Sequence, residues 1–208
     1  MDKKALYQLS YGVFVLTTKS GDRMNGCITN TCMQVANSPA RVAISVLNTN
    51  FTCELIKESG VFAVSVLDET CTFQTIKYYG MQSGREVDKY QGMEPAVDQN
   101  GVPYLTWQTC AVISCKVVES RDLGSHTLFI GEILDAKVTS DKAPLTYAQY
   151  QAHIKPKPRE TEVATQEKRI VGWRCKICNY VYTGSELPED FTCPLCGHDR
   201  EDFEPIYE

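Results

Sequence analysis

The chain has no apolar run approaching the roughly 20 residues that a helix needs to cross a bilayer, so no membrane association through such a span is expected. It also lacks a G-x-G-x-x-G after a first strand and lacks a P-loop, which argues against a Rossmann domain and an NTPase. No internal repeat or low-complexity tract is found. The opening stretch MDKKALYQLSYG has two lysines but no continuous apolar segment and no small-residue cleavage site behind one. A signal peptide is therefore not expected, and the cytoplasm is the expected compartment. Positive charge is in no excess either: 21 Lys and Arg stand against 26 Asp and Glu, a formal net charge of −5. The imbalance lies in residues 171–208, where Arg174, Lys176 and Arg200 face eight acids, while residues 1–170 balance 18 against 18. Phosphate binding needs clustered Lys and Arg, so nucleic acid is disfavoured as a partner. A basic protein surface suits the acidic tail better.

Cysteine is abundant, with ten in 208 residues. A reducing compartment does not keep structural disulfides, so these thiols call for metal, catalysis or burial. Cys27, Cys32, Cys53, Cys71, Cys110 and Cys115 are scattered without ligand spacing and are expected to be small buried hydrophobes. Such free use of oxidisable thiols suits an anaerobe. A hydrophobic fraction of 43% and a charged fraction of 23% are those of a globular protein, and 208 residues suit two domains.

Short β-rich runs recur at 12–19, 42–48, 61–67, 111–119 and 127–138. Helices are fewer. One is expected in NFTCELIKES, behind a polar Asn50/Thr52 start, and one in DETCTFQTIKYY with Asp68 as its N-cap. Many short strands with few helices indicate a mainly β fold, a closed or half-open barrel. The stretch KPKPRETEVATQEKR is polar, has two prolines and shows no apolar periodicity, so it reads as a linker. The expected organisation is a domain over 1–154, a linker over 155–170 and a small domain over 171–208.

In the last segment, Cys175/Cys178 and Cys193/Cys196 form two Cys-x-x-Cys pairs separated by 14 residues. Four such thiolates make a tetrahedral S₄ site, which spacing alone leaves open to zinc or iron. Asn179 and Gly197, each following a second cysteine, tolerate the positive φ that aims backbone N–H groups at sulfur. Trp173, Tyr180, Tyr182, Phe191 and Phe203 supply an aromatic shield. With CKICNYVY, a Pro-containing acidic loop and FTCPLCG, residues 171–208 resemble the rubredoxin family, departing from its long-loop members in the short spacer and in Phe191 where Trp is usual. The resemblance implies one iron per chain on Cys175, Cys178, Cys193 and Cys196; the alternative is a structural zinc ribbon.

Residues 5–150, and above all the stretch from Gly21 to Leu67, resemble the flavin reductase-like, FMN-binding split barrels. In NGCITNTC, Thr29, Asn30 and Thr31 offer small polar groups to the edge of a flat ring. In SVLNTNFTCELI a strand runs into a helix start, where unpaired N–H groups and the dipole suit a phosphate near Asn48, Asn50 and Thr52. No Lys or Arg stands at that start in the sequence. In GSHTLFIGEI, His126 matches the family histidine beside flavin and nicotinamide, with a role in positioning and charge. The resemblance implies an FMN-binding set of Asn25, Cys27, Thr29, Asn30, Thr31, Ser45, Leu47, Asn48, Asn50, Thr52 and His126, a homodimer, and NAD(P)H as substrate.

Both halves together resemble the high-molecular-weight rubredoxins of anaerobic prokaryotes. That resemblance implies an NAD(P)H-dependent electron donor to a flavodiiron protein that reduces O₂ or nitric oxide. The rival readings are a flavin reductase carrying a structural zinc ribbon and a non-enzymatic flavin- or metal-binding regulatory module.

Overall fold

The computed structural model describes residues 2–156 and 169–207. The chain divides into two compact units, Met1–Pro156 and Lys157–Glu208. Residues 157–168 of the expected linker lie outside the described residues.

The first unit is built on strands β1 (Phe14–Ser20), β2 (Arg23–Thr29), β3 (Cys32–Asn37), β4 (Ala40–Leu47), β5 (Val61–Leu67), β6 (Thr109–Asp122) and β7 (His126–Val138). They form one antiparallel sheet in the order β2-β1-β5-β6-β7-β4-β3. The two edge strands are consecutive in the chain, and that fixes the shape. Laid flat, the edges of seven strands would stand about 29 Å apart at about 4.8 Å per spacing. The three Cα steps from Thr29 to Cys32 reach at most about 11 Å. The sheet must therefore curl on itself, as a barrel does.

Apolar residues fill both of its faces. In β1 the even positions Phe14 and Leu16 join Val42, Ile44, Phe62 and Phe129 in one core, while Val15 and Val13, the residue before the strand, join Leu67, Ile76, Tyr79 and Leu105 in another. In β4 alternation is clean: Val42, Ile44 and Val46 are buried, which turns Ser45 and Leu47 to the opposite face. Gly131 in β7 is required by close approach, since a Cβ there would stand 2.5 Å from the Phe62 ring. Helix α1 (Phe51–Ser59) starts at Asn50, whose side chain accepts from Thr52 N at 2.9 Å, and ends at Gly60 with φ 69°.

One expectation needs correction and one strand was missed. The polar stretch Thr29–Thr31 does form the connection between two strands, but Asn25 to Thr29, absent from the expected β-rich runs, is most of strand β2, and β3 follows from Cys32. The polar residues of β2 disguised it, because Asn25 is buried against another polar group rather than exposed. Helix α2 (Phe73–Gly80) is capped at Thr72, not Asp68. Asp68 instead closes a turn, its Oδ1 accepting from Thr70 N at 2.8 Å. Of the six scattered cysteines, Cys27, Cys53, Cys71 and Cys115 are buried and Cys32 and Cys110 are half-buried. No helix among the described residues is long and apolar enough to cross a membrane.

The second unit has a small sheet in the order β10-β8-β9, from β8 (Ile170–Cys175), β9 (Val181–Tyr182) and β10 (Phe203–Tyr207). Its core holds Cys175, Leu187, Cys193 and Phe203, with Trp173, Tyr180, Tyr182 and Phe191 against it.

Candidate functional site

In the second unit, the two Cys-x-x-Cys turns repeat one backbone pattern. Cys175 N donates to Tyr180 O at 2.8 Å and Asn179 N to Cys175 O at 2.9 Å; Cys193 N donates to His198 O at 2.7 Å and Gly197 N to Cys193 O at 2.8 Å. Asn179 at φ 62° and Gly197 at φ 70° make both turns possible. The N–H groups then point at sulfur: Tyr180 N toward Cys178, His198 N toward Cys196, and Leu195 and Cys196 N toward Cys193. All four sulfurs lie within 4.8 Å of one another, with Cys175 and Cys196 at 3.6 Å and Cys178 and Cys193 at 3.4 Å. A tetrahedral ion with bonds of about 2.3 Å has sulfur–sulfur edges near 3.8 Å, so the set fits one metal ion. Burial pushes the Cys178 thiol up to about 11, and metal uptake must therefore displace protons. Cys175 and Cys193 are buried, while Cys178 and Cys196 are half-buried beside exposed Ile177 and Leu195.

In the first unit, the start of α1 gathers groups from distant parts of the chain. Asn25 in β2 donates from Nδ2 to Thr52 Oγ1 at 2.9 Å, and its buried Oδ1 has no partner. The loop after α2 meets it at Gly84, where a Cβ would stand 2.3 Å from Asn25 Oδ1. The Cys27 thiol lies beside Thr52 and Asn50, and burial raises its pKa. Two arginines complete the cluster. The Arg23 guanidinium stands 4.4 Å from the centre of the Phe51 ring and that of Arg85 5.1 Å. Arg85 also pairs with Glu54 at 2.6 Å, a hydrogen bond that holds the Glu54 carboxyl below its ordinary range. The cations absent from the sequence around Asn50 are thus delivered by β2 and by the loop after α2.

A second group forms at the β2–β3 connection. Thr29 and Thr31 hydroxyls are 3.0 Å apart, and Thr31 Oγ1 donates to Ser45 O at 2.8 Å and accepts from Ser45 N at 3.3 Å. The Thr31 side chain thus takes the place of a ladder bond where β3 begins, beside half-buried Asn30.

A third group lies where β4 ends. Leu47 pairs with His126, and Asn48 reaches into the β6–β7 turn. His126 Nδ1 is 2.9 Å from Ser125 Oγ, and desolvation lowers the imidazole pKa, which favours the neutral ring. Asn48 departs from the expectation that it receives a phosphate: Nδ2 donates to Asp122 Oδ1 at 3.1 Å and to Gly124 O at 2.9 Å, so both amide hydrogens are committed.

Sequence reasoning missed Arg23, Arg85 and Lys89. Lys89 is buried, its Nζ donating to Gly26 O at 2.7 Å and Tyr79 O at 2.9 Å, which ties edge strand β2 to the C-terminus of α2. The signal available for Arg85 and Lys89 was the run SGREVDKY, in which two adjacent charged pairs flank Val87 with no apolar period; Arg23 had none.

Comparison with known proteins gives the two units counterparts. The model of the flavin reductase like domain matches residues 6–155, and that of the rubrerythrin, rubredoxin-like domain matches residues 173–204. A high molecular weight rubredoxin of Moorella thermoacetica is 36% identical, over 99% of this chain and 100% of that one. A ferric-chelate reductase (NAD(P)H) of Archaeoglobus fulgidus is 39% identical over 79% of this chain and 96% of its own. Among solved structures, the flavin reductase PheA2 in its native state superposes with a TM-score of 0.58 at 28% identity, covering 70% of this chain and 93% of that one. The fold is thus the mainly β flavin reductase fold with a small rubredoxin-like unit appended, and the chain belongs to the high-molecular-weight rubredoxins.

Proposed function

We infer that this chain takes hydride from NAD(P)H onto FMN in its first unit and passes single electrons through an Fe(Cys)₄ centre in its second to an external acceptor, a flavodiiron reductase of O₂ or nitric oxide. The observation that carries the reading is the joining, in one chain, of a flavin reductase-like unit to an S₄ metal site with N–H groups aimed at sulfur. Bound, FMN accepts two electrons together and releases them singly, and a one-iron centre carries one at a time.

The residues of the chain have distinct tasks in this account. Arg23, Arg85 and the N–H groups at the start of α1 hold the phosphate, with the orphaned Asn25 Oδ1 and Thr52 beside it. Thr29, Asn30, Thr31 and Ser45 meet the polar edge of the ring, and Leu47 lies next to His126, which stands neutral where nicotinamide arrives. Cys27 is packed rather than ligand-facing, and Asn48 positions its neighbours. Cys175, Cys178, Cys193 and Cys196 hold iron, and N–H donation to their sulfurs tunes it. Half-buried Cys178 and Cys196, flanked by Ile177 and Leu195, form the edge where electrons leave. The outer strand β3 exposes Met33 and Val35, which suits pairing with a second copy in a homodimer. Domain limits of 1–154 and 171–208, with a linker between, allow the second unit to serve as a tethered carrier in the cytoplasm.

The test is anaerobic and has three components: this protein, NADH or NADPH, and a purified flavodiiron protein, with O₂ or nitric oxide consumption followed. The chain cut after Ile154 should support little consumption. Equal rates from the cut and full chains would show that the second unit is not the outlet.

A further inference from the structure

We propose that Asn48, braced by Asp122, is a positioning residue for His126, latching the β6–β7 turn so that the imidazole is presented in one orientation. This rests on the reading above that His126 stands at the site of hydride transfer.

Asn48 follows directly on β4, whose last residue Leu47 is paired with His126. From there it contacts most of the turn. Its backbone N–H donates to Ser125 O at 2.9 Å, its Nδ2 to Asp122 Oδ1 at 3.1 Å and to Gly124 O at 2.9 Å, and its Oδ1 accepts from Thr127 Oγ1 at 2.5 Å. Gly124 N donates to the same Asp122 oxygen at 2.7 Å, so one carboxylate oxygen ties the amide to the turn. His126 is flanked by two residues that Asn48 holds directly, Ser125 and Thr127. Ser125 Oγ in turn stands 2.9 Å from His126 Nδ1, which fixes one side of the ring and leaves Nε2 as the nitrogen to meet a ligand.

A purely structural role is a poor account of this. The β6–β7 ladder runs from Ala111 opposite Val138 to Asp122 opposite Thr127, and Leu123 N already closes the turn on His126 O at 2.8 Å. The hairpin has its pairing without Asn48. What Asn48 adds is confined to the turn that carries the imidazole, and Thr127, which bonds its Oδ1, is buried.

The experiment uses the full chain labelled with ¹⁵N-histidine, its three histidines separated by comparison with His126→Gln, and reads the ring nitrogen shifts of His126 at neutral pH. Asn48→Ala and Asp122→Ala should move them from one dominant tautomer toward the averaged pattern of a free imidazole. Asp122→Asn, which keeps the acceptor oxygen, should restore the original pattern. Should Asn48→Ala fail to fold, Asn48→Asp carries the test, since it keeps the acceptor for Thr127 and loses both donors. Hydride transfer in Asn48→Ala should slow roughly fivefold, the net worth of about one hydrogen bond, with KM moved less than about twofold. Unchanged ring shifts in both alanine variants would overturn the proposal whatever the rate does. Shifted rings together with undiminished hydride transfer in His126→Ala would instead leave the latch standing and remove His126 from the chemistry.

Discussion

In the second unit every candidate ligand comes from two Cys-x-x-Cys turns that share one hydrogen-bond pattern, and the buried residues around them are few. The first unit draws its candidate site from β2, the β2–β3 connection, the end of β4, the start of α1, the loop after α2 and the β6–β7 turn, on a sheet whose two faces bury separate cores. The one site is encoded locally and has little core besides its four thiols; the other is encoded by topology and stands on a packed barrel. Removing a ligand should therefore have opposite consequences in the two units.

The largest expected effect is on the second unit. Cys178→Ser should abolish the visible iron absorption and unfold residues 171–208, because a unit this small has little core besides its metal. The first unit should keep its melting transition and its flavin reduction. Differential scanning calorimetry with visible spectra checks this, and a first unit that melts together with the second would erase the contrast.

Next in size is the phosphate cluster. Arg23→Ala and Arg85→Ala should each weaken FMN binding about 10- to 100-fold, as expected for one charge-assisted hydrogen bond. Riboflavin, which lacks the phosphate, should lose much less, and titration of flavin fluorescence separates the two. A smaller change is expected of His126→Ala, with hydride transfer slowed roughly tenfold by lost positioning while the thermal melt stays put. Stopped-flow reduction by NAD(P)H is the check.

The smallest effect is electrostatic. Residues 171–208 carry three basic residues against eight acids, so docking to a basic acceptor should weaken as salt shortens the Debye length toward about 3 Å at 1 M. Delivery rates should fall severalfold across such a series. Rates indifferent to salt would mean that charge does not guide the encounter.

The same contrast explains which features are legible in the amino-acid sequence. The S₄ ligands, the positive φ of Asn179 and Gly197 and the aromatic shield are all legible, because each depends on residues a few positions apart. The strand runs around 61–67 and 127–138 are legible for the same reason, since short stretches rich in Val, Ile, Leu and Phe mark them locally. Strand β2 is not, since buried Asn25 finds a partner for its Nδ2 only on Thr52, 27 residues away, and polar residues in a row look like a turn. Arg23 and Arg85 are hidden because only the fold brings both to Phe51. For Asn48 the sequence indicates the right region but the wrong role, since the bonds that commit its amide come from a turn more than 70 positions on.

The central claim is that electrons entering the first unit leave through the second. Anaerobic mixing of the full, flavin- and iron-loaded chain with NAD(P)H in a stopped-flow spectrometer tests it most directly. The account predicts flavin bleaching followed by bleaching of the ferric bands, at a rate that does not change when the protein is diluted. Flavin that cycles with excess NAD(P)H while the iron bands persist, or iron reduction that depends on added free flavin, would contradict it.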